Sequence, residues 1–264
     1  MAIYSHSRLS TFEQCPLKFK YRYIDKIIPE TGISIESHLG KIVHEVLEWL
    51  HRQVKEKNIP QIDEIISNYS KKWEEKYSDD IVYVKQELSQ KEYFNKGIQF
   101  LVDYYNSYHP FKENTLDVEK KIILSLGEHN LIGFIDRLVY DSKKDRYEVH
   151  DYKTANNLPT QEKIDTDRQL ALYSLAIKEL FGKEKDVLLV WHYLAHNKKI
   201  CSKRTNQQLK ELKKEIIALI EKIESTTEFP SNKSVLCNWC EYKSLCQEFN
   251  CKPTKLKQEK LDIW

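Results

Sequence analysis

Apolar positions along the chain change their period partway through. From His38 to Lys55, the residues Ile42, Val43, Val46, Leu47 and Leu50 recur at three- and four-residue intervals, which makes one stripe of an amphipathic helix. Ser7–Ile24 also reads as helical, with Leu9, Phe12, Leu17, Phe19, Tyr21 and Tyr23 apolar or aromatic and Pro16 starting a new turn after Cys15. Pro29–Ser37 reads as a loop. Ile62–Tyr77 and Lys85–Tyr108 read as two aromatic-rich helices, expected to form a helical insert that guides a substrate. After Pro110 the pattern becomes strand-like. Thr115–Leu126 is a predicted strand and Gly127–Asn130 a turn. Leu131–Thr154 then carries two short strands joined by a polar turn at Asp141–Asp145. Lys163–Phe181 is a predicted helix stopped by Gly182, and Asp186–Leu194 an apolar central strand. Lys199–Arg204 is a short strand, and Thr205–Glu224 a helix opened by a capping box of Thr205 and Gln208. Beyond Pro230 the chain turns loop-like and cysteine-rich. The order implies an α/β fold: a central mixed sheet flanked by helices, an N-terminal helical region and a C-terminal cysteine-rich segment.

Composition narrows the function classes. With 264 residues, 41% hydrophobic and 31% charged, the chain suits a globular protein with a charged surface. We expect one domain over 1–264, with the helical insert at about 56–110, a core at about 111–226 and the cysteine segment at 227–251. A net charge of +2 gives no overall nucleic-acid signature. Basic clusters are local: Lys18, Lys20 and Arg22, or Lys198, Lys199, Lys203 and Arg204. No apolar run reaches ~18 residues, and MAIYSHSRLS has no signal-peptide core, so we expect a cytoplasmic protein with no membrane partner. Its six cysteines then point to metal binding or burial rather than disulfides. There is no G-x-x-x-x-G-K-[ST] stretch, hence no motor within the chain.

Two sets of residues carry candidate chemistry. In Leu131–Thr154, Asp136 interrupts an apolar strand, and Asp151 and Lys153 share one face of the next strand. An isolated Asp-x-Lys is most often a structural ion pair. Here a second carboxylate comes from the neighbouring strand of the hairpin. Carboxylates buried this way need a partner or an ion. The second set is Cys237-Asn-Trp-Cys240 followed by Cys246, which places thiolates for zinc or an iron–sulfur cluster with equal weight on spacing alone. A closed site needs a fourth ligand: Cys15, Cys201, Cys251 or a histidine.

Five short motifs occur in order: Ser7–Tyr21 with Cys15-Pro16, Gly40-x-x-x-His44, Gly133-x-x-Asp136-Arg137, Asp151-Tyr152-Lys153, and Gln169-x-x-x-Tyr173. Together they resemble the RecB-like nucleases of the PD-(D/E)XK superfamily, in the iron–sulfur branch that includes the AddB nuclease domain and the CRISPR-associated RecB-like exonucleases. The resemblance runs from Ser7 to Cys246. It implies a restriction-endonuclease-like core and a [4Fe-4S] cluster held by Cys15, Cys237, Cys240 and Cys246, with Cys201 and Cys251 as free thiols. It implies Mg²⁺ or Mn²⁺ held by His44, Asp136, Asp151 and the backbone carbonyl of Tyr152. Asp136, Asp151 and Lys153 become the catalytic residues, with Gln169 and Tyr173 one helical turn apart at the site edge. Glu119 is a further family-like position outside the expected ligand set. Arg137 points to the opposite strand face, where a structural ion pair is its expected role. Tyr21, Tyr23 and Trp239 are the rings available to stack on bases, with core packing as their competing role.

The expected function is a metal-dependent DNA nuclease, an exonuclease on single-stranded ends, in repair, recombination or CRISPR adaptation, with a helicase or recombination partner in trans. The competing readings are a non-catalytic DNA-binding module stabilised by a cluster or zinc, and a metal-free protein with buried cysteines.

Overall fold

Six strands form one mixed sheet in the computed structural model, which describes residues 3–29, 32–84 and 87–249. They are β1 (Ile3–Tyr4), β2 (Thr115–Leu126), β3 (His129–Asp141), β4 (Arg146–Lys153), β5 (Asp186–Tyr193) and β6 (Lys198–Ser202). The sheet runs β1-β3-β4-β5-β6, with β2 paired to the other side of β3. β4 and β5 are parallel, as are β1 and β3, while β2–β3, β3–β4 and β5–β6 are antiparallel. The helices are α1 (His6–Gln14), α2 (Pro16–Phe19), α3 (Ile35–Lys55), α4 (Ile62–Lys76), α5 (Gln90–Tyr108), α6 (Gln161–Asp165), α7 (Gln169–Phe181) and α8 (Asn206–Ser225). A π-helical turn, Lys20–Ile24, follows α2, and three 3₁₀ turns close the described chain.

The two faces of the sheet bury two cores, and alternation along β3 slips by one residue near Asp136, opposite Glu119 at φ 51°. On one face Tyr147, Val149, Leu138 and Ile135 pack with Leu9 and Phe12 of α1, with Leu170 and Ile177 of α7, and with Ile216 and Ile220 of α8. On the other, Tyr152 packs with Ile42, Val46 and Leu50 of α3, with Tyr69 and Trp73 of α4, and with Phe100 and Tyr104 of α5. The stretch expected to be a helical insert is therefore one of the two layers that bury the sheet. Each fully buried aliphatic or aromatic side chain in these layers stabilises by roughly 1.5–3 kcal/mol relative to exposure.

Three elements depart from the pattern-based expectation. α3 begins at Ile35, inside the expected loop, because Ser34 caps it through the N–H of Ser37. α5 begins at Gln90 rather than Lys85, at a capping box of Ser89 and Glu92. The expected Lys163–Phe181 helix is broken at Thr166–Arg168, and Asp167 accepts the N–H of Leu170 as the second helix starts. β1 has only two residues, too few for any period to show.

Candidate active site

The site forms where two paired strands part. The β3–β4 ladder runs from Asp141–Arg146 to Arg137–His150 and then stops. One step further, the Asp136 carboxylate takes the place of a backbone acceptor: its Oδ2 receives the N–H of Tyr152 at 2.8 Å. The strands open into a fork, and side chains from α3, β2 and α7 enter it.

From α3, His44 Nε2 donates to the Tyr152 carbonyl at 2.7 Å, and Nδ1 faces Asp136 Oδ2 at 3.4 Å. A carbonyl can only accept, so Nε2 carries the proton. The Tyr152 carbonyl, expected to be a cation ligand, accepts this hydrogen bond with one of its two lone pairs. From β2 comes Glu119. Its carboxylate, the His44 imidazole and the Asp136 carboxylate each offer a ligand atom, all within 4.8 Å of one another; among the described residues this is the one such group. Burial, then Asp151, push the Asp136 carboxyl well above the usual carboxylate range; burial, then Glu48, push Glu119 up. Repelling, poorly solvated carboxylates of this kind favour a proton or a cation. Two carboxylates and an imidazole are a donor set that suits a hard divalent ion such as Mg²⁺ or Mn²⁺.

Asp151 and Lys153 share a face, as alternation along β4 requires. Lys153 Nζ lies 2.7 Å from Asp151 Oδ2. Gln169, at the start of α7, bridges the pair: it accepts from Lys153 at 3.1 Å and donates to Asp151 Oδ1 at 3.2 Å. The break before α7 aims Gln169 at the fork. Burial depresses the Lys153 pKa, but the Asp151 charge and hydrogen bond outweigh it and the net shift is upward. In the cation-free protein the pair thus favours the protonated amine. Tyr173, one turn after Gln169, is buried against Gly133: a Cβ there would sit 2.4 Å from Tyr173 Cε1. The sequence predicted both Gln169 and Tyr173 near the fork, and the structure brings them there. His6, on α1, lies 3.3 Å through Nε2 from the Ser10 hydroxyl and feels the charges of the group. Burial first, then Arg168 and Lys153, push it down to about 4.

Glu119 was legible in one signal. Leu126 pairs with His129, so the β2–β3 turn is the two residues Gly127-Glu128, with Gly127 at φ 65°. Counting inward from that turn sets Glu119 opposite Asp136, between the pairs Val118–Arg137 and Lys120–Ile135. The longer turn expected at Gly127–Asn130 loses this register. Arg137 points away from the fork, as alternation demands. It pairs with Glu113 at 2.7 Å and donates to His150 Nδ1 at 2.9 Å.

The end of α1 and the C-terminal cysteine turns meet away from the fork. Cys15, Cys237, Cys240 and Cys246 line one cavity of about 60 Å³. Around it Asn232 Nδ2 donates to the Gln14 carbonyl at 2.9 Å, and Lys18 pairs with Glu241 at 2.7 Å. Among the described residues no three of these thiols lie within 4.8 Å of one another. Cys201 is on β6 and lines no part of this cavity; Cys251 lies outside the described residues. Much of the expected basic surface is neutralised: Lys20 pairs with Asp25, Arg22 with Glu241, and Lys203 with Asp186. Tyr21 packs on Tyr242, and Tyr23 on Phe19 and Arg8.

Comparison with known proteins agrees with this architecture. Residues 3–247 match the PD-(D/E)XK nuclease superfamily, and the chain belongs to that family. It is similar in fold to a crystal structure from Eubacterium rectale of a protein named "Putative exonuclease", with a TM-score of 0.51 and 12% identity over 98% of this chain and 91% of that one. The crystal structure of SSO0001 gives a TM-score of 0.42 and 13% identity, covering 93% of this chain and 86% of that chain. No curated protein matches. Among the described residues no helix is long and apolar enough to cross a membrane.

Proposed function

We propose that this nuclease is a Mg²⁺- or Mn²⁺-dependent deoxyribonuclease, an exonuclease acting on single-stranded ends. The convergence of His44, Glu119 and Asp136 beside the Asp151–Lys153–Gln169 group carries this reading. His44, Asp136, Asp151 and the Tyr152 carbonyl, joined by Glu119, would hold the divalent cation. When bound, it draws charge from the phosphate and acidifies water. The protein supplies the orientation. The Tyr152 N–H fixes Asp136, and the Tyr152 carbonyl fixes the His44 ring. Lys153, steered by Gln169, orients or deprotonates the attacking water and stabilises the charge that develops on the phosphate. The exonuclease name of the E. rectale protein agrees with this reading.

The four-cysteine cavity is the seat of a structural [4Fe-4S] cluster that ties the N-terminal helices to the C-terminal cysteine turns; four thiols lining one cavity support it. The enzyme works in the cytoplasm in repair, recombination or CRISPR adaptation, beside a helicase or recombination partner supplied in trans. The test is cleavage of end-labelled single- and double-stranded DNA with and without divalent cation. Cation-dependent shortening of single strands, abolished by Asp151→Ala, is expected. A folded wild-type protein that binds DNA without cutting it under any divalent cation overturns the catalytic reading in favour of a binding module.

A further inference from the structure

We propose that the outward face of β1, β3 and β2 is a ledge on which unpaired bases of the substrate strand stack, with Phe134 as its central ring; this rests on the nuclease reading above. The register defines the face. Ile3 and Ser125 both pair with Asn130, Ile123 pairs with Ile132, and Lys121 pairs with Phe134. Cross-strand partners share a face, and alternate residues along a strand return to it. So Ile3, Ile132, Phe134, Ile123 and Lys121 stand together, while Ile122, Leu124, Leu131 and Ile135 point into the core. Ile3 is 54% exposed, Ile123 57% and Phe134 50%. Scattered apolar side chains need no explanation, but three on one face of three adjacent strands make a patch.

The position of the patch selects its occupant. Glu119 and Asp136 lie on the same two strands, two residues along from Lys121 and Phe134, a distance of ~7 Å. That is a span of roughly one or two nucleotides along a strand. A strand whose phosphate reaches the fork thus carries its next bases over Phe134, with the exposed ammonium of Lys121 beside its phosphates. Every base has a π face, so such a contact tolerates any sequence. A base in a duplex keeps its faces covered by its neighbours, so the ledge favours single strands. Two of the rings expected from sequence to stack, Tyr21 and Tyr23, are packed against other residues. Phe134 is the most exposed Phe or Trp ring among the described residues.

The test measures binding in an Asp151→Asn background, so that cleavage does not intervene. A labelled single-stranded oligonucleotide and its blunt duplex are titrated against the parent, Phe134→Ala and Phe134→Trp. Phe134→Ala should weaken single-strand binding about tenfold, or ~1.4 kcal/mol, and leave duplex binding unchanged; Phe134→Trp should restore it. Equal single-strand affinity in parent and Phe134→Ala overturns the ledge, as does an equal loss for strand and duplex. Dissociation of a dimer by Phe134→Ala, with DNA affinity unchanged, overturns it in favour of a second copy on this face. These outcomes separate from the nuclease reading, which stands or falls on wild-type cleavage whatever Phe134 does.

Discussion

Gly133→Ala is the substitution whose cost can be worked most directly. The added Cβ would lie 2.4 Å from Cε1 and 3.1 Å from Cζ of Tyr173. Gly133 sits in a regular strand outside the positive-φ positions, so alanine meets no backbone penalty there. The whole cost is steric. Tyr173 is buried with Leu170 and Ile177 around it, so the ring cannot swing away freely. Overpacking of this kind costs ~1–3 kcal/mol. For a chain of this size each kcal/mol lowers Tm by ~2–4 °C, so a drop of roughly 2–12 °C is expected. Tyr173 also sits one turn from Gln169, which holds Asp151 and Lys153. Displacing that turn should cost activity on the order of 10–100-fold. Thermal melting of Gly133→Ala, Tyr173→Ala and the double variant closes a mutant cycle. The double variant should recover at least ~1 kcal/mol relative to the sum of the singles, because the small side chain makes room for the new methyl. Additivity within ~0.5 kcal/mol would refute the contact argument.

Glu119→Gln should weaken Mn²⁺ binding at least ~10-fold, the scale on which even outer-shell changes act; an unchanged isotherm removes Glu119 from the ligand set. The raised Asp136 pKa gives a pH dependence with a definite sign. In the cation-free protein, the stability Asp136 lends as a neutral acid is complete below its unfolded pKa of ~3.9 and is lost as pH rises through the raised folded value. Cation binding needs the ionised form, so the Tm gain from Mn²⁺ should grow as pH rises through that window; a gain that stays flat, or falls, sinks the assignment. Cys240→Ser should lower Tm and strip iron and sulfide from anaerobically purified protein while leaving turnover per folded molecule near wild type. Wild-type melting with full iron content would show that the thiol holds no cluster.

The sequence alone determined the elements with strong local signals. The α3 stripe, the Thr205 capping box, the β3–β4 hairpin and the central strand Asp186–Tyr193 all appear where period and capping place them. Alternation along β4 put Asp151 and Lys153 on one face, because a strand's period is two and depends on nothing distant. The ordered motifs alone group His44, Asp136, Gln169 and Tyr173. Tertiary structure decided what depends on register and on approach between elements. Glu119 joins His44 and Asp136 only because a two-residue turn sets β2 against β3, and a turn miscounted by two residues moves every cross-strand partner. The fork exists because β3 and β4 stop pairing at Arg137–His150, an event with no local signature. Gly133 is required by a ring from α7, forty residues on in the chain, that passes too close for any Cβ. The exposed face around Phe134 belongs to the same class: its strand reads as apolar whether or not a helix covers it, and only the placement of the helices leaves it bare.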